Sequence, residues 1–247
     1  MSKEVAVKKE QAVTVSDARN AAANLSTYGV DLKDMVAPSV LLLQSMSKVL
    51  KGRKDLSAGE IIDSVEKSKL GDAAHPIEII PLVSSKEYIF QSKIGNSFLG
   101  KAPYGGTDLP YEGVFQQAGP NKGKPCKNIL CLNFRVLLAK DLKGSVGIPA
   151  LVSFRSTGFI VGKQLTTMIA KGAFFGKAPH DFRYSLGCVE RTNDLGTFFV
   201  WDVQKLGTTT QSQKEAAEFW LTEGRLQEIQ VDTEEDAEQV DSSQDKY

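Results

Sequence analysis

The chain has 247 residues, of which 41% are hydrophobic and 24% charged, and its formal net charge at pH 7 is zero. This composition suffices for a hydrophobic core in one large or two small domains. It predicts no membrane-spanning helix, since no run of about 18 apolar residues occurs. The N-terminus lacks the apolar segment of a secretory signal, and the three cysteines then predict free thiols in a reducing cytosol.

The formal net charge of zero is the sum of two oppositely charged parts of the chain. From residue 223 onward there are nine Asp or Glu against Arg225 and Lys246, a formal charge of −7. Residues 1–222 hold 28 Lys or Arg against 21 Asp or Glu, a formal charge of +7. A block of acid on a basic body is typical of interaction tails, so the end of the chain predicts charged partners.

The N-terminal part of the chain contains few strong patterns. Residues 1–30 have few large apolar side chains, and we expect a flexible N-terminal arm there. Residues 36–50 are the first that can enter a core, although Pro38 limits any helix to a start at that point. Residues 58–65 predict a short strand.

The middle of the chain is rich in β signals. Residues 76–90 predict a strand in which Pro81 indicates an edge position or a bulge. Residues 95–127 are dense in turn formers and carry aromatics, which predicts hairpins and long loops. Residues 129–140 give the clearest strand, because the even positions from 130 to 138 are all apolar. These positions are Leu130, Leu132, Phe134, Val136 and Leu138.

The same patterns assign the remaining elements. Alternation predicts strands at residues 149–156, 182–191 and 197–203, and helical spacing predicts a helix at residues 163–171. A second helix is expected to begin at an N-cap Ser212, with Glu215 as its capping-box partner, and to end near residue 227. Its expected buried residues are Ala216, Phe219, Trp220 and Leu226.

This succession of elements predicts a mainly β fold. Six or so irregularly spaced strands, one internal helix and one C-terminal helix fit an OB-like Greek-key barrel with long loops, and a β-sandwich is the alternative. We therefore expect a flexible arm at residues 1–30, a single β-rich domain at residues 31–228, and a disordered acidic tail at residues 229–247.

Residues 86–184 combine basic and aromatic side chains. This window holds 14 Lys or Arg, five Asp or Glu, and 13 of the 20 aromatic residues. Single-stranded nucleic acid requires this combination, because cations neutralise phosphates and exposed rings stack unpaired bases. The competing interpretation places the rings in the core and the lysines on an ordinary surface. The best stacking candidates lie among glycines and lysines in loops: Phe98, Tyr104, Tyr111 and Phe115.

The dipeptide Phe-Arg occurs three times, at residues 134–135, 154–155 and 182–183. Neighbouring side chains of a strand face opposite ways, so burial of each Phe would display each Arg. If the three strands are neighbours, their arginines form a phosphate-binding track; if not, they are three unrelated solvated arginines. The full predicted nucleic-acid-binding set is Lys86, Lys93, Phe98, Lys101, Tyr104, Tyr111, Phe115, Arg135, Arg155, Lys163, Lys177 and Arg183.

Catalysis, a metal and a cofactor are not expected. His75 and His180 both lie beside prolines in loops, and carboxylates are too sparse in residues 86–184 for a two-metal nuclease site. Cys126, Cys131 and Cys188 could form a zinc site with His180, but Cys131 lies inside a predicted strand rather than a knuckle turn. Buried free thiols are the favoured interpretation of the cysteines.

A basic, aromatic β domain followed by an acidic tail that ends in an aromatic residue resembles bacteriophage single-stranded DNA-binding proteins. The resemblance is one of architecture and charge, and it covers residues 76–205 and 232–247; the first 60 residues have no counterpart in a minimal OB domain. It implies a non-enzymatic protein of DNA replication or recombination, in the host cytoplasm, that binds single-stranded DNA in a basic aromatic cleft.

The resemblance also implies that the tail competes with DNA and recruits replication or recombination proteins. The tail residues concerned are Asp232, Glu234, Glu235, Asp236, Glu238, Asp241, Asp245 and Tyr247. Two other hypotheses stay open. One is a phage structural or assembly protein with a basic protein-binding face, and the other is an enzyme with a metal at the cysteines.

Overall fold

The computed structural model describes residues 36–142, 147–194, 196–222, 226 and 230–231. The arm predicted at residues 1–30 lies outside these residues, as does the acidic tail apart from the backbone of residues 230–231.

The described residues contain twelve strands and two α-helices. The strands are β1 Val36–Ala37, β2 Ser39–Leu42, β3 Ile61–Asp63, β4 Lys69–Gly71, β5 Ile77–Ser92, β6 Phe98–Pro103, β7 Glu112–Val114, β8 Pro125–Leu138, β9 Ala150–Phe154, β10 Phe182–Asn193, β11 Gly196–Thr208 and β12 Gln230–Val231. The helices are α1 Phe159–Ala173 and α2 Gln211–Thr222. Short 3-10 turns occur at Lys48–Leu50, Ala139–Leu142, Ser156–Gly158 and Pro179–Asp181.

Ten of these strands form one sheet: eight lie in the order β11-β10-β5-β8-β9-β2-β3-β4, and β6 and β7 pair with β5 and β8 off this path. Strands β5, β8 and β9 are an antiparallel meander, α1 follows, and the β10–β11 hairpin then returns so that β10 pairs with the first residues of β5. The long strands β5 and β8 continue beyond this region, where they pair with β6 and β7 respectively. We call this second region, residues 87–127, the β-extension.

The sheet curls so that β10 and β11, at one end, contact the segments that follow β2 and precede β3. Gln44, which follows β2, donates from its side chain to the carbonyl of Phe199 at 2.8 Å and accepts from the backbone N–H of Phe199 at 3.0 Å. The Cys188 thiol donates to the Gly59 carbonyl at 3.0 Å. Gly59 has a φ of +86°, and a Cβ there would lie 2.6 Å from the Phe199 ring, so only glycine fits this close approach. The Gln44 side chain thus makes the two hydrogen bonds to Phe199 that a neighbouring strand would otherwise make.

The predicted fold class is confirmed: the fold is mainly β and barrel-like, with long loops, one internal helix and one C-terminal helix. The other described sheet consists only of the parallel pair β1 and β12, so the described strands do not form the two comparable sheets of the alternative β-sandwich.

Two hydrophobic clusters cover the two faces of the sheet. The inner cluster includes Phe134, Phe154 and Tyr184, and α1 closes it through Leu165. The outer cluster joins the α2 residues to the other face of β5 and β8. Its members are Ala37, Ile80, Leu82, Leu137, Ala216, Ala217, Phe219, Trp220 and Leu226. The burial predicted for Ala216, Phe219, Trp220 and Leu226 is therefore confirmed, although Leu226 lies beyond the end of α2 at Thr222.

Two local predictions are refined. The register of β5 against β8 shifts between Pro81 and Val83, which confirms the bulge, but β5 lies inside the sheet and not at its edge. The capping box of α2 is wrong by two residues. The Gln213 N–H donates to the Thr210 hydroxyl at 3.3 Å and the Thr210 N–H donates to the Gln213 side chain at 3.0 Å, so Thr210 is the cap.

Candidate nucleic-acid interface

A cleft of about 430 Å³ opens on the outer face of the sheet. Strand register places Arg135 opposite both Val83 and Leu151, and Asn133 opposite both Ser85 and Ser153, so side chains of three adjacent strands share this face. The end of α2 forms one wall. The lining residues are Val83, Ser85, Glu87, Lys101, Asn133, Arg135, Leu151, Trp220, Leu221 and Leu226. We call this feature the outer cleft.

Arg135 places a cation in the wall of the outer cleft. Its guanidinium donates to the carbonyl of Leu226, which ties the sheet to the chain that follows α2. Burial lowers the pKa of Arg135 from its usual value, although an arginine remains charged in proteins. A partly desolvated cation attracts an anion more strongly than a fully hydrated one, so this position suits a phosphate or another anionic group.

Asn133 brings an unsatisfied acceptor to the same cleft. Its amide nitrogen donates to a Glu87 carboxylate oxygen at 2.6 Å, which fixes the orientation of the amide. Its Oδ1 is buried and has no hydrogen-bond partner among the described residues. Lys101 lies exposed on the rim. The outer cleft thus combines cations with polar groups suited to nucleobase edges.

The three Phe-Arg pairs behave as predicted only in part. Phe134 and Phe154 are buried in the inner cluster and Phe182 packs against it, so the alternation of β8 and β10 directs Arg135 and Arg183 to the outer face, whereas Arg155 lies just beyond the end of β9.

The continuous exposed arginine track is nevertheless wrong. Arg183 is engaged by Glu78 at 2.7 Å, and Arg135 is half-buried against Leu226. One guanidinium nitrogen of Arg155 is buried without a hydrogen-bond partner among the described residues. Helix α2 packs on the apolar residues between Arg183 and Arg135, because the outer face carries its own hydrophobic cluster.

The four loop rings differ in exposure. Phe98 is 37% exposed, Tyr111 is 43% exposed, and Tyr104 is half-buried with Lys86 Nζ 5.1 Å from its ring centroid. Phe115 is only 3% exposed, so its prediction as a stacking ring is wrong.

The physical reason lies in the β-extension, which needs a core of its own. Phe115 packs edge-on against Phe90, with ring centroids 5.4 Å apart, and joins Tyr88, Leu99 and Cys126 in a separate cluster.

The predicted lysines fall into two groups. Lys86, Lys93 and Lys101 belong to β5, β6 and the adjoining turn, and Lys93 is paired with Glu112 at 2.5 Å. Lys163 and Lys177 lie on α1 and just after it, where the helix packs on the inner cluster. All five are exposed. The structure therefore does not bring the α1 lysines to the outer cleft.

The most exposed rings among the described residues are not among the predicted site residues. Phe174 is 87% exposed and Phe175 is 83% exposed, directly after α1. Two features of the sequence could have indicated them: the pair stands between turn-forming glycines in Gly-Ala-Phe-Phe-Gly-Lys, and residues 142–180 contain no Asp or Glu.

The cysteines lie apart from one another. Cys126 belongs to the cluster of the β-extension, Cys131 packs with Ile89 and Ile129, and Cys188 belongs to the inner cluster. Burial raises the pKa of the Cys188 thiol, and the nearby Asp72 carboxylate adds to this shift. Within the described ranges, no three His, Cys, Asp or Glu side chains are grouped as a metal would need.

Comparison with known proteins gives a family match. The family model described as Pam3 phage gp34-like protein matches residues 7–225. No curated protein and no solved structure matches the chain. Across the part of the chain that the structure describes, no helix has the length and apolar character needed to cross a membrane.

Proposed function

The chain belongs to the Pam3 phage gp34-like family, and on this premise we propose that it is a phage single-stranded DNA-binding protein. It is non-enzymatic and acts in DNA replication or recombination in the host cytoplasm. It binds DNA through the outer cleft and the neighbouring β-extension, and its acidic tail competes with DNA and recruits partner proteins.

The position of the outer cleft in the strand order carries this proposal. The meander β5-β8-β9, the helix α1 and the hairpin β10–β11 follow one another as in a five-stranded OB-type barrel. Barrels of this type bind oligonucleotides on the face of their second and third strands and on the loop between the first two. Here those parts are β8, β9 and the β-extension, and the outer cleft lies beside all three.

The side chains of this region suit single-stranded nucleic acid. Arg135 and Lys101 offer cations in the cleft, and Phe98 and Tyr111 expose rings on the β-extension. Base stacking tolerates any sequence because every base has a π-face, whereas duplex DNA presents no free base faces. This combination supports a preference for single strands without sequence specificity.

Titration of a fluorescein-labelled oligo-dT, followed by anisotropy across a salt series, tests the proposal. We expect binding at about 50 mM salt and a negative slope of log affinity against log salt of about 0.7 for each phosphate contact. A matched duplex of the same length should bind more weakly. Absence of binding at this salt concentration, or a slope of log affinity against log salt near zero, would contradict the proposal.

The alternative is a phage structural or assembly protein that uses its basic face to bind another protein. The exposed Phe174 and Phe175 rings favour this alternative, because large apolar side chains at the surface mark interaction sites. It predicts stable self-assembly and equal binding of single-stranded and duplex DNA, so sedimentation and the same titration separate the two functions.

A further inference from the structure

The exposed pair Phe174 and Phe175 is held by a rigid turn. Beyond α1, the N–H of Phe175 donates to the Gly172 carbonyl at 2.9 Å, and the N–H of Lys177 donates to the same carbonyl at 3.1 Å. Gly176 has a φ of +69°, the left-handed conformation that ends helices. The two rings are therefore presented to solvent by an ordered backbone. We call residues 171–177 the aromatic tip.

The base of the aromatic tip is anchored to the sheet. A Cβ at Gly172 would lie 2.9 Å from the Phe182 ring, so α1 and β10 approach closely at this point. Lys205 Nζ lies 3.2 Å from the centroid of the same ring. The two exposed rings do not contribute to this anchor, since they are the most exposed large apolar residues of the segment.

The surroundings of the aromatic tip are cationic. Lys171 and Lys177 belong to the tip and are exposed, and residues 142–180 contain no carboxylate side chain to oppose them. The nearest acid along the chain, Asp181, is engaged by Lys214 at 2.5 Å and by the N–H of Ala178. A polyanion can therefore approach the tip without meeting an unpaired carboxylate of this segment.

We propose that the aromatic tip is a second single-strand binding site, at which Phe174 and Phe175 stack unpaired bases while Lys171 and Lys177 contact the flanking phosphates. The inference rests on the proposed function and adds a site on the α1 side of the fold, separate from the outer cleft. Two adjacent exposed rings match the stacking of successive bases, and nearby cations match their phosphates.

The first test is the double variant F174A/F175A of the full chain, titrated with labelled oligo-dT. We expect binding weaker by about tenfold or more, with an unchanged salt slope because no cation is removed. The control M46A/V65A removes two exposed apolar side chains elsewhere and should bind as the unaltered chain does. The variant K171A/K177A should instead reduce the salt slope by about 1.4, or 0.7 for each lost phosphate contact.

The second test reads stacking directly. Both native tryptophans, Trp201 and Trp220, are buried, so the indole introduced by F175W emits separately at long wavelength. We expect oligo-dT to quench this emission, and F175W to keep the affinity that F174A/F175A loses.

Four results would overturn the inference. If the unaltered chain binds oligo-dT and F174A/F175A binds equally well, the tip is not a DNA site and the proposed function stands. An F175W emission that shifts with phosphatidylglycerol vesicles but not with oligo-dT would assign the tip to a membrane. Self-association that F174A/F175A abolishes without change in DNA affinity would assign it to a second copy of the chain. Failure of the unaltered chain to bind oligo-dT would overturn both the site and the function.

Discussion

At the scale of single residues, burial divides the rings of the β-extension into two kinds. Phe115 and Tyr111 lie four residues apart in the same glycine-rich segment, yet Phe115 is 3% exposed and Tyr111 is 43% exposed. The local sequence around the two is alike. The difference arises from Phe90 and Leu99, which lie elsewhere in the chain and meet Phe115 only after β5, β6 and β8 have paired.

This division predicts that one substitution lowers stability and another lowers DNA affinity. Phe115→Ala should lower the free energy of unfolding by about 3–5 kcal/mol, because it leaves a cavity among packed rings. Tyr111→Ala should change that free energy by about 0.5 kcal/mol at most but weaken oligo-dT binding by about 1–3 kcal/mol. Calorimetric melting and anisotropy titration measure the two effects. A stable Phe115→Ala variant, or a Tyr111→Ala variant with normal DNA affinity, would contradict the assignment.

The alternation of side chains along a strand correctly predicted that the Phe residues of the Phe-Arg pairs face inward. It did not predict the partial burial of the arginines. A strand pattern predicts which face a side chain takes, so the inward Phe134 and Phe154 followed from the sequence. It does not predict what covers the opposite face. The chain after α2 covers Arg135, and the contact joins residues 91 positions apart, which no local pattern contains.

At the scale of elements, one amide side chain contributes two hydrogen bonds to the closure of the barrel. Gln44 both donates to and accepts from the backbone of Phe199. Gln44→Ala should lower the free energy of unfolding by about 1–3 kcal/mol, since partly buried backbone groups of β11 lose their partners. Urea unfolding followed by the emission of the two buried tryptophans, Trp201 and Trp220, measures this loss. The control Gln211→Ala removes an exposed glutamine whose side chain donates to Glu215 in the same helix, and it should be nearly neutral. Equal effects of the two substitutions would refute the closure role.

The ion pair between Asp181 and Lys214 joins the start of β10 to α2 and predicts a pH-dependent stability. The hydrogen bond from Lys214 lowers the pKa of Asp181, and the N–H of Ala178 adds to this shift. Because the pKa is lower in the folded chain than the unfolded value of about 3.9, the stabilisation is present above pH 4. It is lost as the pH falls through the folded pKa.

Asp181→Asn should therefore destabilise the chain by about 1 kcal/mol at pH 7. The difference from the unaltered chain should shrink as the pH falls through the folded pKa of Asp181, because the native carboxyl is then protonated too. Urea unfolding at pH 7 and pH 3 measures both values. A difference that is the same at the two pH values would show that Asp181 acts through its shape and not through its charge.

Long elements were predictable from the sequence and, apart from β3 within residues 58–65, the shortest ones were not. Strands β5, β8, β10 and β11 and both helices carry enough residues to show a period of two or of about 3.6. Strands β1, β7 and β12 have only two or three residues and no period to detect. The cap of α2 was misplaced because Thr210 and Ser212 are both good N-cap residues and lie two positions apart.

At the scale of the whole molecule, composition predicted the fold class but not the way in which the sheet is assembled. Long β segments with turn-rich connections indicate a barrel-like fold. The insertion of β2, β3 and β4 beyond β9 follows from pairing between residues over 100 positions apart, such as Ser39 with Leu151. The candidate site shows the same limit: its residue types were predictable, but the outer cleft and the aromatic tip arise from tertiary contacts.

The charge asymmetry of the chain leads to a prediction about residues 232–247. These residues hold seven of the acidic side chains and end in Tyr247, so on the proposed function they compete with DNA for the basic surface. Deletion of residues 232–247 should tighten oligo-dT binding by about fivefold at 50 mM salt, with the gain vanishing near 0.5 M because salt screens the tail.

A matched control separates the charge of the tail from its length. In a full-length chain with all seven acids changed to Asn or Gln, the tail keeps its length but loses the carboxylates that mimic phosphates. This variant should bind oligo-dT as tightly as the deletion does at 50 mM salt, since the competition is electrostatic. If both variants bind DNA as the unaltered chain does, the tail does not occupy the DNA surface. Its one remaining proposed role is then the recruitment of basic partners. If only the deletion tightens binding, the tail excludes DNA by its volume. The competition then does not depend on the opposite charges of the body and the tail.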